Sequence, residues 1–335
     1  MVHRAGDKRG RSKWVRRSDV ANLSNRKAER EGDVLMFKVI VPTLNASRHW
    51  EQFAPALLEC VLPGQVLVVD SESNDSTVEL AREAGFTVVS RPRAEFNHGA
   101  TRQMAAELCP EAEILVYMTQ DTVLADSGSI ASLLAAFADP AIGGAYGRQL
   151  PRPEARAIEA HARIFNYPAE SQTRTLANRR EFGIRVAFFS NSLAAYRRST
   201  LMEIGGFPSD VIFGEDMVTA ARMLLAGKKV AYVAEARAYH SHAYSWRQEF
   251  ERSFDIGALH SREQWLLKEF GRATGEGARF VISEFRYILQ REPSLLPAMI
   301  VRTAMKILGY RLGYMESRLS LEIKRRFSMH PGYWK

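Results

Sequence analysis

The chain has 335 residues, of which 46% are hydrophobic and 25% charged, and its net charge is +8. This composition is ordinary for a soluble globular protein, and the length fits one large α/β domain with an appendage. The two cysteines, Cys60 and Cys109, lie far apart and match no metal or redox spacing, which favours a reducing, cytoplasmic setting with no disulfide.

The positive charge lies at the two ends of the chain. Residues 1–33 contribute +5 and residues 278–335 contribute +7, which leaves −4 for the segment between them. Basic ends can bind nucleic acid or an anionic membrane, or simply keep a protein in solution. Because residues 1–33 contain few large apolar side chains, we expect a disordered basic arm there and no secretory signal.

Short apolar runs alternate with helical segments from residue 34 to about residue 245. Strands are predicted over residues 37–41, 65–70, 86–90, 113–118, 142–148, 186–196 and 230–233. Helices are predicted over residues 47–60, 76–85 and 99–108, and Ser76 and Glu79 have the spacing of a capping box. The alternation predicts an α/β domain over residues 34–245, with a mostly parallel sheet and helices on both faces.

Polar clusters follow three of the predicted strands, where open parallel sheets bind their ligands. They are Pro42-Thr43-Leu44-Asn45, Asp70-Ser71-Glu72-Ser73-Asn74-Asp75 and Thr119-Gln120-Asp121. Each cluster alone is equally consistent with turns and helix caps, but their joint position favours one binding crevice. Asp70 could accept a hydrogen bond from a pyrimidine N–H, and Asp121 could bind Mg²⁺ or Mn²⁺. No glycine-rich dinucleotide motif or phosphate loop is present.

Two further clusters lie downstream of these strands. Glu215 and Asp216 begin a predicted helix, where the helix dipole keeps a carboxylate ionised and suited to act as a general base. The alternative is that both acids only cap the helix. His240 and His242 follow a predicted strand, so they are candidate metal ligands or, alternatively, hydrogen-bonded surface histidines.

Together these segments resemble family 2 glycosyltransferases, which have the GT-A fold, over roughly residues 36–245. The matching segments are 39–45, 68–71, 75–77, 120–121, 214–216 and His240, and residues 96–102 and 117–121 are similar to rhamnosyltransferases. The resemblance implies that Asp216 is the catalytic base and that Asp121 and His240 bind a divalent Mg²⁺ or Mn²⁺. Thr119 stands where the family's Asp-x-Asp motif has its first acid. The residues implied to bind the nucleotide sugar are Pro42, Thr43, Asn45, Asp70, Ser71, His98, Arg102, Gln120, Asn191 and Glu215.

The implied reaction is an inverting sugar transfer. The expected donor is dTDP-L-rhamnose, and the expected acceptor is a hydroxyl group of a glycan or lipid-linked acceptor. Two alternatives stay open: the same enzyme class with a UDP-hexose donor, and a non-catalytic scaffold that binds a nucleotide sugar. Nucleic acid is not an expected partner, because the basic ends lack a recognisable binding motif.

Residues 246–335 are predicted to form a helical region. Trp246, Phe250 and Phe254 have the spacing of a stripe that faces the core, while Gly309 and Gly313 should weaken the last long helix. No apolar stretch reaches the roughly 18–20 residues that span a bilayer. Residues 295–327 combine apolar and basic side chains, so we expect peripheral contact with an anionic membrane at its cytoplasmic face.

Overall fold

The structure, a computed structural model, describes residues 35–272 and 275–335, so the arm predicted over residues 1–33 lies outside the described residues. The strands are β1 (Phe37–Thr43), β2 (Val66–Asp70), β3 (Thr87–Ser90), β4 (Ile114–Met118), β5 (Val123–Leu124), β6 (Ile142–Leu150), β7 (Gln172–Arg174), β8 (Leu193–Arg197) and β9 (Lys229–Tyr239). The helices are α1 (Ser47–Leu58), α2 (Thr77–Glu83), α3 (His98–Glu107), α4 (Ser129–Ala135), α5 (Ala157–Asn166), α6 (Arg179–Phe182), α7 (Arg198–Glu203), α8 (Glu215–Leu225), α9 (Trp246–Arg262), α10 (Gln264–Phe270), α11 (Glu276–Arg291), α12 (Leu296–Tyr314) and α13 (Leu321–Phe327).

These strands form one sheet in the order β3-β2-β1-β4-β8-β6-β9-β5, with β7 paired separately to β9. Strands β3, β2, β1 and β4 run parallel, whereas β8 runs antiparallel to both β4 and β6. Every residue of β2 and β4 is buried, as expected for the valine- and leucine-rich inner strands of a parallel sheet. The α/β architecture predicted from the alternation is therefore confirmed.

The register of the parallel strands places their polar ends side by side. Thr43 at the end of β1 lies opposite Asp70 at the end of β2. Strand β4 pairs with the other side of β1, so the residues that follow β4 reach the same edge of the sheet. The carboxyl ends of three strands thus meet in one place, as the polar clusters predicted.

Helix α2 does not begin with the predicted capping box. Ser76 makes no side-chain cap hydrogen bond, and the preceding Asp75 performs this function instead. The Asp75 carboxylate accepts hydrogen bonds from the Thr77 N–H (3.0 Å) and from the Ser47 hydroxyl (2.7 Å). One partly exposed carboxylate therefore ties together the first turns of α1 and α2.

The strand predicted over residues 186–196 is only partly present. Residues 183–187 form a short 3₁₀ helix, and β8 begins at Leu193. The reason lies at Asn191, whose backbone N–H donates to a side chain, the Asp216 carboxylate, at 3.1 Å. The strand predicted over residues 230–233 is longer than expected, because β9 continues to Tyr239 along β6.

Helices α9 and α12 cross at very short range. A Cβ atom at Gly313 would lie 1.9 Å from the Phe254 carbonyl oxygen, and one at Gly309 would lie 2.3 Å from the Phe250 carbonyl oxygen. Helix α12 runs without interruption through both glycines, and their lack of a side chain permits the crossing. Their effect on the stability of the helix stays a prediction. In the predicted aromatic stripe Phe254 is buried, but Trp246, at the first position of α9, is 58% exposed. Within the described residues, no helix is long and apolar enough to cross a membrane.

Candidate active site

The carboxylate of Asp70 organises the loop that follows β2. Its Oδ1 accepts hydrogen bonds from Thr43 Oγ1 (2.9 Å) and Ser73 Oγ (2.6 Å), and its Oδ2 accepts one from the Ser73 N–H (2.8 Å). The neighbouring Ser71 is buried, and its hydroxyl has no hydrogen-bond partner among the described residues. Because an ionised carboxylate accepts about four hydrogen bonds, Asp70 can receive one more donor, from a ligand.

The loop after β1 is held in an unusual conformation beside this carboxylate. Asn45 has a φ of 51°, in the left-handed region, and its N–H donates to Ser73 Oγ at 2.8 Å. Gln120, from the loop after β4, accepts from the Leu44 N–H (2.7 Å) and donates to the Leu44 carbonyl (3.1 Å). Pro42, near the end of β1, is partly exposed beside this loop. The three strand-end clusters thus form one rim.

Asp121 lies between two histidines that follow β9. Its Oδ2 is 3.4 Å from His240 Nε2 and 3.6 Å from His242 Nε2, and one donor atom from each residue lies within 4.8 Å of the others. Gln149 Oε1 is 2.9 Å from His240 Nδ1. If that nitrogen donates to Gln149, the other ring nitrogen presents its lone pair toward Asp121, as a metal-binding histidine requires.

The ionisation of the three side chains suits metal binding. Burial lowers the pKa of His240, and burial together with the nearby His240 lowers the pKa of His242 to about 4. Both imidazoles are therefore neutral at physiological pH. Burial acts to raise the pKa of Asp121. At the low pH where this carboxyl titrates, however, His240 is protonated, and its hydrogen bond and charge hold the pKa of Asp121 well below its usual range.

The donor set fits a divalent ion of the first transition row. Two imidazole nitrogens and one carboxylate oxygen suit Mn²⁺ better than Mg²⁺, which prefers oxygen ligands. The orienting contact from Gln149 is the kind of support that metal-binding histidines have. The three residues therefore pass a chemical test as a candidate metal site.

The second cluster surrounds Asp216 at the start of α8. Its Oδ2 accepts a hydrogen bond from the Asn191 N–H (3.1 Å), and its Oδ1 accepts one from the Met217 N–H (2.8 Å). The contact to Met217 satisfies a backbone donor of the first helical turn, so part of the capping interpretation holds. Burial, followed by the charge of neighbouring Glu215, raises the pKa of Asp216 to about 7. A carboxyl group with this pKa is well placed to accept a proton near neutral pH.

Glu215 is buried, and its Oε1 is paired twice. Arg102 Nη1 lies 2.8 Å from its Oε1, and Asn191 Nδ2 donates to the same oxygen at 3.1 Å. Burial acts to raise the pKa of Glu215, but the Arg102 guanidinium outweighs it and holds that pKa below its ordinary value. Arg102 follows His98 by one turn of α3, and its Nη1 also donates to the His98 carbonyl at 3.2 Å. The positive charge of Arg102 is thus compensated within the site.

A path of short contacts connects the two clusters. Gln149, which contacts His240, donates through Nε2 to Ser190 Oγ at 2.8 Å. Ser190 is followed by Asn191, whose N–H binds Asp216. The candidate metal ligands and the candidate base therefore belong to one continuous site.

The sequence indicates Asp121 and His240 as candidate metal ligands, and the structure places His242 beside them as a third candidate. The spacing of two residues was the available signal, because alternate residues of an extended segment point to the same side. Gln149 and Arg152, whose Nη2 donates to the Asp121 carbonyl, gave no such signal.

Comparison with known proteins adds the family relationship. The model of glycosyl transferase family 2 matches residues 38–205. The O-antigen chain rhamnosyltransferase RfbN of Salmonella typhimurium is 42% identical over 298 residues, which cover 88% of this chain and 95% of RfbN. The O-antigen chain rhamnosyltransferase WbaN of Salmonella anatum is 40% identical over 300 residues, covering 89% of this chain and 95% of WbaN.

A solved structure shares the fold at lower identity. It is a mannosyltransferase from Pyrobaculum calidifontis in complex with GDP-Man and Mn²⁺, with a TM-score of 0.51 and 20% sequence identity. The alignment covers 94% of this chain and 91% of the mannosyltransferase. This likeness concerns the fold alone and confirms the predicted GT-A architecture.

Proposed function

Because the chain belongs to glycosyl transferase family 2, we propose that it transfers L-rhamnose from dTDP-L-rhamnose to a hydroxyl group of a lipid-linked O-antigen glycan. The enzyme is an inverting glycosyltransferase. The observation that supports the sugar is the identity of 42% with a rhamnosyltransferase along 95% of that relative's length. The acceptor follows from the same relatives, which act in O-antigen chains.

Asp216 is the proposed base. The acceptor hydroxyl attacks the anomeric carbon as the bond from that carbon to the diphosphate oxygen breaks, and Asp216 takes the hydroxyl proton. Its two backbone hydrogen bonds, from Asn191 and Met217, fix the carboxylate at the start of α8. The pKa of about 7 makes this carboxylate a stronger base than an ordinary aspartate, yet still ionised in a large fraction of molecules at neutral pH. Attack on the face opposite the leaving group inverts the anomeric centre.

Asp70 and the rim around it are the proposed nucleotide pocket. A pyrimidine base offers one ring N–H, and Asp70 retains the capacity to accept it. The hydroxyl of Ser71, which has no hydrogen-bond partner among residues 35–272 and 275–335, is a second polar group that a base or ribose can satisfy. Arg102, His98 and Asn191 are proposed to border the sugar and diphosphate. Since Glu215 already neutralises Arg102, this arginine is proposed chiefly to hold Glu215 beside Asp216.

Asp121, His240 and His242 are the proposed ligands of a divalent ion, with Mn²⁺ favoured. Such an ion would neutralise charge on the diphosphate oxygens of the donor. The protein's part is to keep both imidazoles neutral and to orient His240 through Gln149.

Contact with the cytoplasmic face of an anionic membrane is also proposed, because a lipid-linked acceptor is held there. The outward faces of α11 and α12 carry a run of exposed apolar side chains: Ile282, Phe285, Leu289, Ile300, Val301, Ile307 and Leu308. Arg302 and Lys306 turn away from this face toward Glu249, at 3.9 Å and 3.7 Å. The positive charges that attract the anionic membrane are therefore expected from exposed residues such as Arg311 and Arg318. Sedimentation with anionic vesicles at moderate salt tests this contact, and loss of sedimentation in Ile300→Ser would place it on α12.

Donor use tests the proposed function. Nucleotide release is measured with dTDP-rhamnose, UDP-glucose, UDP-galactose and GDP-mannose, with and without Mn²⁺, for the wild type and Asp216→Asn. We expect release from dTDP-rhamnose that depends on Mn²⁺ and is lost in Asp216→Asn. Preference for a UDP-hexose would replace the donor while keeping the enzyme class. If a donor stabilises the fold but none is hydrolysed, the scaffold alternative is favoured; if no donor is hydrolysed and none stabilises the fold, the proposed function fails.

A further inference from the structure

The last eight residues of the chain return to the active site. Trp334 is 3% exposed and belongs to the main hydrophobic core, where its ring lies 6.1 Å from that of Phe254. Its carbonyl accepts a hydrogen bond from Arg325 Nε at 3.0 Å. The guanidinium of Arg262 lies 4.9 Å from the ring centre, in a cation–π arrangement. The end of the chain is therefore anchored in the core rather than only resting on the surface.

His330 lies between two attachment points of this segment. On one side, the Met329 N–H donates to the Asp255 carboxylate at 3.0 Å. On the other side, the Tyr333 hydroxyl donates to the carbonyl of Asp210 at 2.8 Å. Asp210 lies in the loop that leads to α8. These two contacts hold the backbone on each side of His330.

The His330 ring packs against two residues of the active-site wall. It lies edge-on to the ring of His98, with centroids 5.3 Å apart and planes at 85°. It is parallel to the ring of Phe213, with centroids 6.1 Å apart. Phe213 is separated from Glu215 by a single glycine, and His98 begins α3. One residue of the tail thus contacts both segments that supply the Arg102–Glu215 pair.

On this basis we propose that His330 is a positioning residue: its ring fixes His98, and through it the Arg102–Glu215 pair beside Asp216. The proposal rests on the proposed function for its catalytic consequence, but the contact itself can be tested without any substrate. Arg102 Nη1 donates to the His98 carbonyl and pairs with Glu215, so a shift of His98 moves both partners. Residues 328–335 then help to position the active-site residues, although they lie far from His98 and Arg102 in the sequence.

The first test follows the His98 imidazole by NMR titration of histidine-labelled protein. Burial lowers the pKa of His98 to about 4, with Glu215, Arg102 and His330 as the ionisable groups that face it. In His330→Ala the ring that covers His98 is lost, so its pKa should rise toward the ordinary value of about 6.5. In His330→Phe the ring contact is kept and the pKa should stay low. An unchanged His98 pKa in His330→Ala would overturn the proposal.

The second test separates positioning from stability. His330→Ala should lower kcat for sugar transfer by about 10–100-fold, with little change in the KM for the donor, because reacting groups are displaced rather than removed. His330→Phe, which keeps an aromatic ring at this position, should have a kcat close to that of the wild type. The control is His260→Ala, which breaks a buried contact to Tyr310 in the same helical region and should lower thermal stability alone. Loss of kcat in both His330 variants, with His98 unmoved, would show that the ring nitrogens act directly and would refute positioning.

Tyr333→Phe serves if His330→Ala fails to fold. It removes the hydrogen bonds that the Tyr333 hydroxyl makes with the Asp210 carbonyl and with Arg262 but keeps the aromatic ring, so it should produce a smaller change of the same kind in the His98 pKa and kcat. If the wild type transfers no sugar from any donor, the proposed function fails, and the His98 titration still decides whether His330 controls this wall. If the pKa of His98 in both Tyr333→Phe and His330→Ala equals that in the wild type, the proposal is refuted.

Discussion

The raised pKa of Asp216 leads to a quantitative expectation for the variant Glu215→Gln. Burial and then the charge of Glu215 raise the pKa of Asp216 to about 7. Since an ordinary aspartate titrates at about 3.9 and each pKa unit is worth about 1.4 kcal/mol, the site disfavours the ionised carboxylate by about 4 kcal/mol at most. Replacing Glu215 removes its negative charge, which raises the pKa of Asp216, and also leaves the positive charge of Arg102 uncompensated beside Asp216. Nearby charges change a carboxyl pKa by about 1–3 units, so the pKa should fall to about 4–6.

The sign of the effect on activity follows from the role of a base. Asp216 accepts a proton only when it is ionised, so kcat/KM for the donor should rise with pH through about 7 in the wild type and level off above it. In Glu215→Gln the same rise should occur at lower pH, even if the maximum rate is reduced by the changed surroundings. The profile is measured as initial rates of nucleotide release, and kcat/KM reports the ionisation of the free enzyme.

A control variant distinguishes a local from a general effect. Glu203→Gln removes an exposed carboxylate that pairs with Lys228 at 3.0 Å, far from the hydrogen-bond network of Asp216, and should leave the profile unchanged. A wild-type profile without a rise near 7, or a Glu215→Gln profile with its midpoint unmoved, would refute the assignment of this titration to Asp216.

Three further predictions concern packing, metal binding and the nucleotide pocket. Gly313→Ala should destabilise the fold by about 1–3 kcal/mol in denaturant unfolding, because the new Cβ meets the α9 backbone at 1.9 Å. Gly277→Ala, where no atom of the described part of the chain lies within 4 Å of the new Cβ, should not destabilise it. His242→Ala should weaken Mn²⁺ binding in calorimetry, and Gln149→Leu should weaken it by about 10–100-fold. If both variants bind Mn²⁺ as tightly as the wild type, the ion does not bind at this site. Asp70→Ala should abolish the thermal stabilisation of the protein by dTDP; retained stabilisation would place the base elsewhere.

The parallel half of the sheet and its polar rim could be predicted because their signals are local. Buried strands appear as short apolar runs, and the residue after each run must lie at the ligand-binding edge. The predicted convergence of the clusters at Asp70 and Gln120 needed only the assumption that the strands are adjacent, which the register at Thr43 and Asp70 bears out. The family resemblance then supplied roles that local patterns alone leave open.

Other features depend on contacts between distant parts of the chain. The sequence contains no local sign that Asn191 donates its N–H to Asp216, and that bond is what delays β8 to Leu193. Likewise Gly309 and Gly313 have an unfavourable helix propensity. Only the packing of α9 against them shows that a side chain at either position would overlap the α9 backbone. The contact of His330 with His98 spans most of the chain and has no pattern at all in the sequence.

The arrangement of the sheet explains why this site needs both of its halves. The parallel strands β1, β2 and β4 end at the proposed nucleotide rim, whereas Gln149 lies on β6, Asn191 precedes β8 and His240 follows β9. The reversal of direction at β8 brings the start of that strand, with Asn191, to the same edge as the ends of the parallel strands. A continued parallel order would place the end of β8 there instead, and the backbone N–H that holds Asp216 would lie at the opposite edge. The antiparallel strand is therefore the topological feature that joins the proposed nucleotide pocket to the proposed base.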